Sequence, residues 1–280
     1  MKKRGCIALL AAMICAVSFA AFAAEAPRAF DAKAYGMEGE YLVLQEAEGN
    51  LQRDKSSEIR LIAERDKDSV FDKALWLEVR PKGGKAFLVP LKEIAGFDAE
   101  IELKNFTSPW RSDIFLSMQT GGSGGLGNYY VIEITDEGKP VFHFNSESTQ
   151  LPAVKGEFLD DYRGDVVVRE TDKETQAFVN LTSRKEQYDK GGVYDPKSKK
   201  LKAPVEIWGG GYSQLIPMDA DNDGIDELRG VLELSGVDHT DRIASIVYTL
   251  KYRDGKWDVV NSRIVPAEGL LLMPTPRAGK

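Results

Sequence analysis

Asp219-Ala220-Asp221-Asn222-Asp223-Gly224-Ile225-Asp226-Glu227 places carboxylates at loop positions 1, 3, 5 and 9 and a glycine at position 6. That is the donor set of a hard divalent cation. Calcium takes about six to eight oxygens at roughly 2.3–2.6 Å, and the glycine lets the backbone turn so that a carbonyl at position 7 points inward. Without a cation, the five acids of the loop repel one another. The candidate ligands are therefore Asp219, Asp221, Asp223 and Glu227 through their carboxylates and Ile225 through its main-chain carbonyl, with Ca2+ as the cation.

The residues on either side exclude an EF-hand, which needs a bidentate Glu at position 12 between two helices; Gly230 stands there. Tyr212-Ser213-Gln214-Leu215-Ile216-Pro217 precedes the loop, and Leu228-Arg229-Gly230-Val231-Leu232-Glu233-Leu234 follows it. Both partly alternate apolar and polar residues, so both read as strands. A cation loop joining two strands points to an all-β fold.

Working upstream from the loop, weaker versions of the same arrangement begin at Asn50, Asn105 and Glu157, which with Asp219 gives spacings of 55, 52 and 62 residues. Each leads into an apolar strand: Glu58–Ile62, Asp113–Leu116 and Asp165–Val168. Hairpins follow. Ala74–Val79 turns at Pro81–Gly84 into Ala86–Val89, and Tyr129–Ile134 turns at Asp136–Lys139 into Val141–Phe144. The third unit turns near Asp172 into Gln176–Val179, and the fourth pairs Ile246–Leu250 with Trp257–Val260 across Asp254-Gly255. Strands rich in β-branched and aromatic residues with Gly- and Asp-bearing turns are antiparallel hairpins. No long 3.6-residue periodicity runs through the chain after residue 23. The expectation is all-β: a propeller-like array of about four antiparallel β-units, with a β-sandwich as the alternative. Residues 39–264 form the all-β repeat domain, 24–38 an irregular leader, and 265–280 an exposed tail carrying Pro266, Pro274 and Pro276.

These residues carry a resemblance. Asp219 to Leu228 resembles the calcium loop of FG-GAP and VCBS-type repeats, and the span from about residue 40 to 262 is similar to secreted bacterial VCBS repeat-containing proteins. Ile114-Phe115-Leu116-Ser117, the glycine run Gly121–Gly125 and Tyr129-Tyr130 belong to the same likeness. The resemblance implies calcium ligation by Asp219, Asp221, Asp223 and Glu227, with Ile225 contributing its carbonyl. The chain departs from the family at the first two loops, where Gln52, Lys55, Thr107 and Pro109 fill ligand or glycine positions. There the likeness implies a turn without the metal. The Phe-Gly and Gly-Ala-Pro signatures of the integrin-type repeat are absent, which argues against a regular seven-bladed propeller.

The N-terminus has Lys2, Lys3 and Arg4, then an apolar run to Phe22 ending in Ala21-Phe22-Ala23. A basic region, an apolar core and an A-x-A site make a secretory signal peptide, here residues 1–23, with Ala24 as the other cleavage point. An uncleaved membrane anchor is the rival reading, since the run approaches the roughly 20 residues that span a bilayer. Lipoprotein processing at Cys15 is disfavoured by Ala12-Met13-Ile14. Both cysteines, Cys6 and Cys15, lie in this segment, so the mature chain has no disulfide. Cleavage deletes three positive charges and no acid, taking the formal charge from −7 to −10. Such a surface does not suit nucleic acid or anionic lipid. Outside the cytoplasm calcium is millimolar, so even a weak site is useful there.

Rival chemistries have weaker signatures. Gly121-Gly122-Ser123-Gly124-Gly125 matches G-x-S-x-G, with Asp238 and His239 downstream, but a nucleophile elbow needs a helix after it and a strand is expected here. His143 and His239 lack zinc spacing; the first reads as the polar face of a strand, the second as a solvated turn. Asp160-Asp161 and Asp226-Glu227 are candidates for a glycosidase pair, though such pairs are defined by distance and adjacent acids in a turn are ordinary. Gly209-Gly210-Gly211 lacks the Lys and helix of a phosphate loop, and Lys197, Lys199, Lys200 and Lys202 read as a solvated basic island. Trp208 and Tyr212 offer either core packing or a carbohydrate or peptide surface. The sequence thus points to an exported, extracytoplasmic calcium-binding all-β repeat protein, secreted or in the cell envelope, that acts as a binding or envelope-associated module and not as an enzyme, with no catalytic residues, a protein or glycan ligand, and no stable membrane insertion after cleavage. A secreted carboxylate-based hydrolase is the alternative.

Overall fold

A computed structural model describes residues 27–52, 55–122, 125–149 and 152–274. The signal segment 1–23, the first residues of the leader, Asp54, Ser123 and the last six residues lie outside the described residues. The described chain is all-β, with one short helix, α1 (Lys185–Lys190). None of its helices is long and apolar enough to cross a membrane.

The first sheet has nine strands: β1 (Arg28–Ala29), β2 (Tyr41–Gln52), β3 (Lys55–Arg65), β4 (Phe71–Pro81), β5 (Phe87–Leu91), β6 (Gly96–Ser108), β7 (Arg111–Gln119), β8 (Gly127–Ile134) and β9 (Pro140–Asn145). It is an antiparallel meander, with β5 branching from β4. A second sheet of four orders β10 (Ala153–Leu159), β11 (Arg163–Arg169), β12 (Glu174–Asn180) and β17 (Leu271–Met273). The third runs β13 (Trp208–Met218), β14 (Glu227–Ser235), β15 (Arg242–Arg253) and β16 (Lys256–Pro266).

The nine-stranded sheet bends back on itself. β4 reaches β6 only through Phe71↔Phe97 and Asp72↔Gly96, and beyond that corner the two halves enclose a core of Ile59, Leu61, Leu75, Leu77, Ile114, Leu116 and Ile132. Gln45 on β2 closes the far side. Its side-chain amide accepts from Ile101 N–H at 2.8 Å and donates to Ile101 O at 2.9 Å, filling the place of a neighbouring peptide on β6.

β7 and β8 bury both faces. Ile114, Leu116, Tyr130 and Ile132 point into that first core, while Phe115, Tyr129 and Val131 point into a second one shared with the other two sheets. This explains why Ile114-Phe115-Leu116 and Tyr129–Ile132 read as unbroken apolar runs: a strand segment with two covered faces has no polar side to alternate with. Sheet-on-sheet packing of this kind fits the β-sandwich alternative, and none of the three sheets closes.

The expected units map unevenly. The third and fourth correspond to the two four-stranded sheets, whereas the first two are fused into the nine-stranded one. The leader is not wholly irregular: β1 pairs with β2, and a 3-10 turn at Ala32–Tyr35 buries Ala32 beside Tyr41 and Ile62. The tail also returns to the body, because β17 adds to the edge of β12 through Phe178↔Met273 and Val179↔Leu272.

Candidate metal centre

β13 delivers the chain to the acidic loop and β14 carries it away, the two strands pairing up to Met218↔Glu227. The loop is therefore the connection of a β-hairpin, reversed through left-handed backbone at Asn222 (φ 59°) and Gly224 (φ 84°). Asp219 organises it: its Oδ1 accepts from Asp223 N–H at 3.1 Å and its Oδ2 from Gly224 N–H at 3.0 Å. Asp223 Oδ1 accepts from Ile225 N–H at 2.9 Å, and Glu227 Oε2 accepts from Ala220 N–H at 2.8 Å.

Asp226 turns away. It accepts from Asn105 N–H at 2.9 Å and donates its own N–H to Asn105 O at 2.7 Å, fastening the loop to β6. The β6–β7 hairpin also packs Pro109 against Gly224 and carries Trp110, which is 75 % exposed, at its tip.

The remaining carboxylates converge. Carboxylate oxygens of Asp219, Asp221 and Glu227 lie within 4.8 Å of one another. At the centre sits a group the sequence reading missed, the ammonium of Lys251 on β15. Its Nζ lies 2.7 Å from Asp221 Oδ2, 2.7 Å from Asp223 Oδ2 and 2.6 Å from Glu227 Oε1. Register places it there: Leu228 pairs with Leu250, so Lys251 lies one step further on, beside Glu227. Burial opposes the Lys251 charge, but hydrogen bonds to Asp221, Asp223 and Glu227 outweigh it and hold the pKa above the ordinary lysine value. The Lys251 side chain is 9 % exposed and that of Glu227 3 %.

The residues fit calcium. Three oxygens already sit 2.6–2.7 Å from one point, close to the roughly 2.3–2.6 Å of a Ca–O contact. When bound there, the ion would be held by Asp219, Asp221, Asp223 and Glu227, with Ile225 placed in the loop to offer its carbonyl.

A second polar cluster lies where the first and third sheets meet. His143 occupies a β-bulge, since Val131 pairs with Phe144 and Ile132 with Phe142, leaving the residue between them without a partner on β8. Its Nε2 is 2.8 Å from Glu133 Oε2, and its Nδ1 is 2.8 Å from the Tyr252 hydroxyl. Glu133 also pairs with Arg111 at 2.7 Å, while the fully buried Asp113 accepts from Phe106 N–H and Thr107 N–H at 3.0 and 2.8 Å. Asp113, Glu133 and His143 lie close enough to share a cation, but each is already engaged by protein donors or acceptors. His143 is thus half-buried and cross-linking, not simply on a polar face.

The other candidates fall apart spatially. Asp160 and Asp161 form the β10–β11 turn, where Asp160 Oδ1 accepts from Leu201 N–H at 2.9 Å. Glycines 121 and 122 lead to a strand, β8, and not to a helix. His239 is exposed and stacks edge-on against Trp208, whose indole N–H donates to Gly236 O at 3.0 Å. Tyr212 is buried in the second core. Lys197, Lys199, Lys200 and Lys202 are exposed. A groove of about 660 Å³ runs along β10, lined among others by Glu157, Asp165, Glu206 and Trp208.

A family model described as the YybI C-terminal domain matches residues 152–265, which covers the second and third sheets except β17 and the last residue of β16. The uncharacterized protein YybI of Bacillus subtilis (strain 168) is 26 % identical over 165 residues, 59 % of this chain and 61 % of that protein. The chain thus covers less than two thirds of that relative's length. No solved structure matches.

Proposed function

We propose that the chain is an exported, calcium-binding all-β module that works by binding a ligand and not by catalysis. The observation that carries this is the convergence of Asp221, Asp223 and Glu227 on one cation-sized point, with Asp219 ordering the backbone around it. Export follows from the signal-like residues 1–23 and suits a site filled by millimolar extracellular calcium. The VCBS-like spacing supports descent from four repeated units, the first two merged into one sheet. The groove beside Trp208 is the surface we assign to a glycan ligand, because an indole flanked by Glu157, Asp165 and Glu206 offers stacking and hydroxyl acceptors together.

Isothermal titration of calcium into the mature chain tests the central claim. Stoichiometric binding abolished in Asp223→Ala supports it; no heat at millimolar calcium overturns it. The three carboxylates of the groove also favour a second reading, a carboxylate-based glycan hydrolase. Turnover of polysaccharide that disappears in Glu157→Gln or Glu206→Gln would establish that reading instead.

A further inference from the structure

Lys251 lies where the metal would. We propose that Lys251 is a tethered cation that fills the acidic loop in the absence of metal, and that calcium binds only by expelling it. This rests on the calcium reading above and adds the residue that sets the affinity of the site.

Geometry forces the competition. The ammonium touches Asp221 Oδ2, Asp223 Oδ2 and Glu227 Oε1 at 2.6–2.7 Å, so a calcium ion ligated by the same oxygens would coincide with Nζ. Two cations cannot share that point. Glu227 Oε1 is the telling atom: it is buried, its charge is met by the Lys251 ammonium at 2.6 Å, and it is aimed at the centre of the cluster. A buried carboxylate oxygen in that position needs a cation. The lysine supplies one at the end of a flexible four-carbon stem, which a metal can displace without moving β15.

The charges favour exchange. Asp219, Asp221, Asp223 and Glu227 bring four negative charges and Lys251 returns one, so the loop stays anionic with the lysine in place. A divalent ion neutralises more, and the released ammonium can reach solvent past Asp221 and Asp223, which are 54 % and 46 % exposed. The loop therefore has two ordered states, lysine-filled and metal-filled. Calcium affinity in the native chain is the intrinsic affinity reduced by the hold of the lysine.

Calcium titration of the full mature chain and of Lys251→Met and Lys251→Gln tests this. The variants should bind at least tenfold more tightly than wild type. Equal affinity in all three would overturn the tethered-cation proposal and leave calcium binding standing. Binding by the variants alone would support the proposal and overturn calcium binding as the native function. Binding by none would overturn both. A readout on the wild-type chain does not depend on the variants folding: mass-spectrometric acetylation of Lys251 should rise several-fold on adding calcium to chelated protein. Unchanged labelling while calcium binds would sink the proposal.

Discussion

His143 Nδ1 lies 2.8 Å from the hydroxyl of Tyr252, and this contact links the edge of the nine-stranded sheet to the sheet that carries the acidic loop. The ring is held from its other side by Glu133, so it enters the contact already oriented. Tyr252→Phe keeps the ring packing against Trp257 and deletes only the hydroxyl. It should cost about 1 kcal/mol in urea denaturation.

Asp113 gives the fold a pH dependence. Burial lifts its carboxyl above the usual range, against hydrogen bonds from Thr107 and Phe106 and the charge of His143. A carboxyl raised on folding contributes stability that is full below its unfolded pKa of about 4 and is lost as pH rises through the folded value. The stability of wild type relative to Asp113→Asn should therefore fall as pH rises from about 3 through that window. A difference that stays flat, measured by chemical denaturation at several pH values, would contradict the assignment.

Tyr248 is 1 % exposed, and its hydroxyl finds no hydrogen-bond partner among the described residues. Tyr248→Phe removes an unsatisfied polar atom and should raise stability by about 1 kcal/mol. Facing it is Gly230, where an added Cβ would come within 2.2 Å of Tyr248 Cζ and 2.7 Å of Leu215. Gly230→Ala should cost about 1–3 kcal/mol, and Tyr248→Phe should not rescue it because the ring carbon still clashes.

Calcium should raise the melting temperature. With a dissociation constant on the order of 10–100 μM, about 1 mM calcium stabilises by roughly 1.4–2.7 kcal/mol. For a domain of this size that is about 3–11 °C. Magnesium should do much less, because it resists dehydration and needs a tighter octahedron. Asp219→Ala and Asp223→Ala should remove the shift in differential scanning fluorimetry; equal melting in calcium and chelator would refute calcium stabilisation.

Local pattern made the strands and turns legible in advance. Asp254-Gly255 was readable as a hairpin turn, and it adopts positive φ at both residues between Arg253 and Lys256. The acidic loop was readable as a hairpin connection because its carboxylates and its glycine lie within nine consecutive residues between two strands. What pattern could not supply is contact over long sequence separation. The corner at Phe71↔Phe97 and the clasp between Gln45 and Ile101 fuse two expected units, and neither leaves a local trace. Lys251 sits 24 positions after Glu227 and meets it only through the β14–β15 register. His143 was misread because one extra residue in β9 re-aims its side chain, and a bulge without glycine or proline has no simple sequence mark. β17 has three residues, too few to show alternation.

The bulge at His143 also bears on how the molecule behaves at high concentration. β9 is the last strand of its sheet, with Val141 and Phe142 about 40 % exposed, and a bare edge of that kind is a template on which a second chain can add a strand. Here the ladder is interrupted at His143, and the carbonyl of that residue is taken by the indole N–H of Trp257 at 2.8 Å. An incoming strand therefore meets a distorted backbone with one acceptor already used. The same residue that joins two sheets within one molecule should also make this edge a poorer template for a strand from a second one.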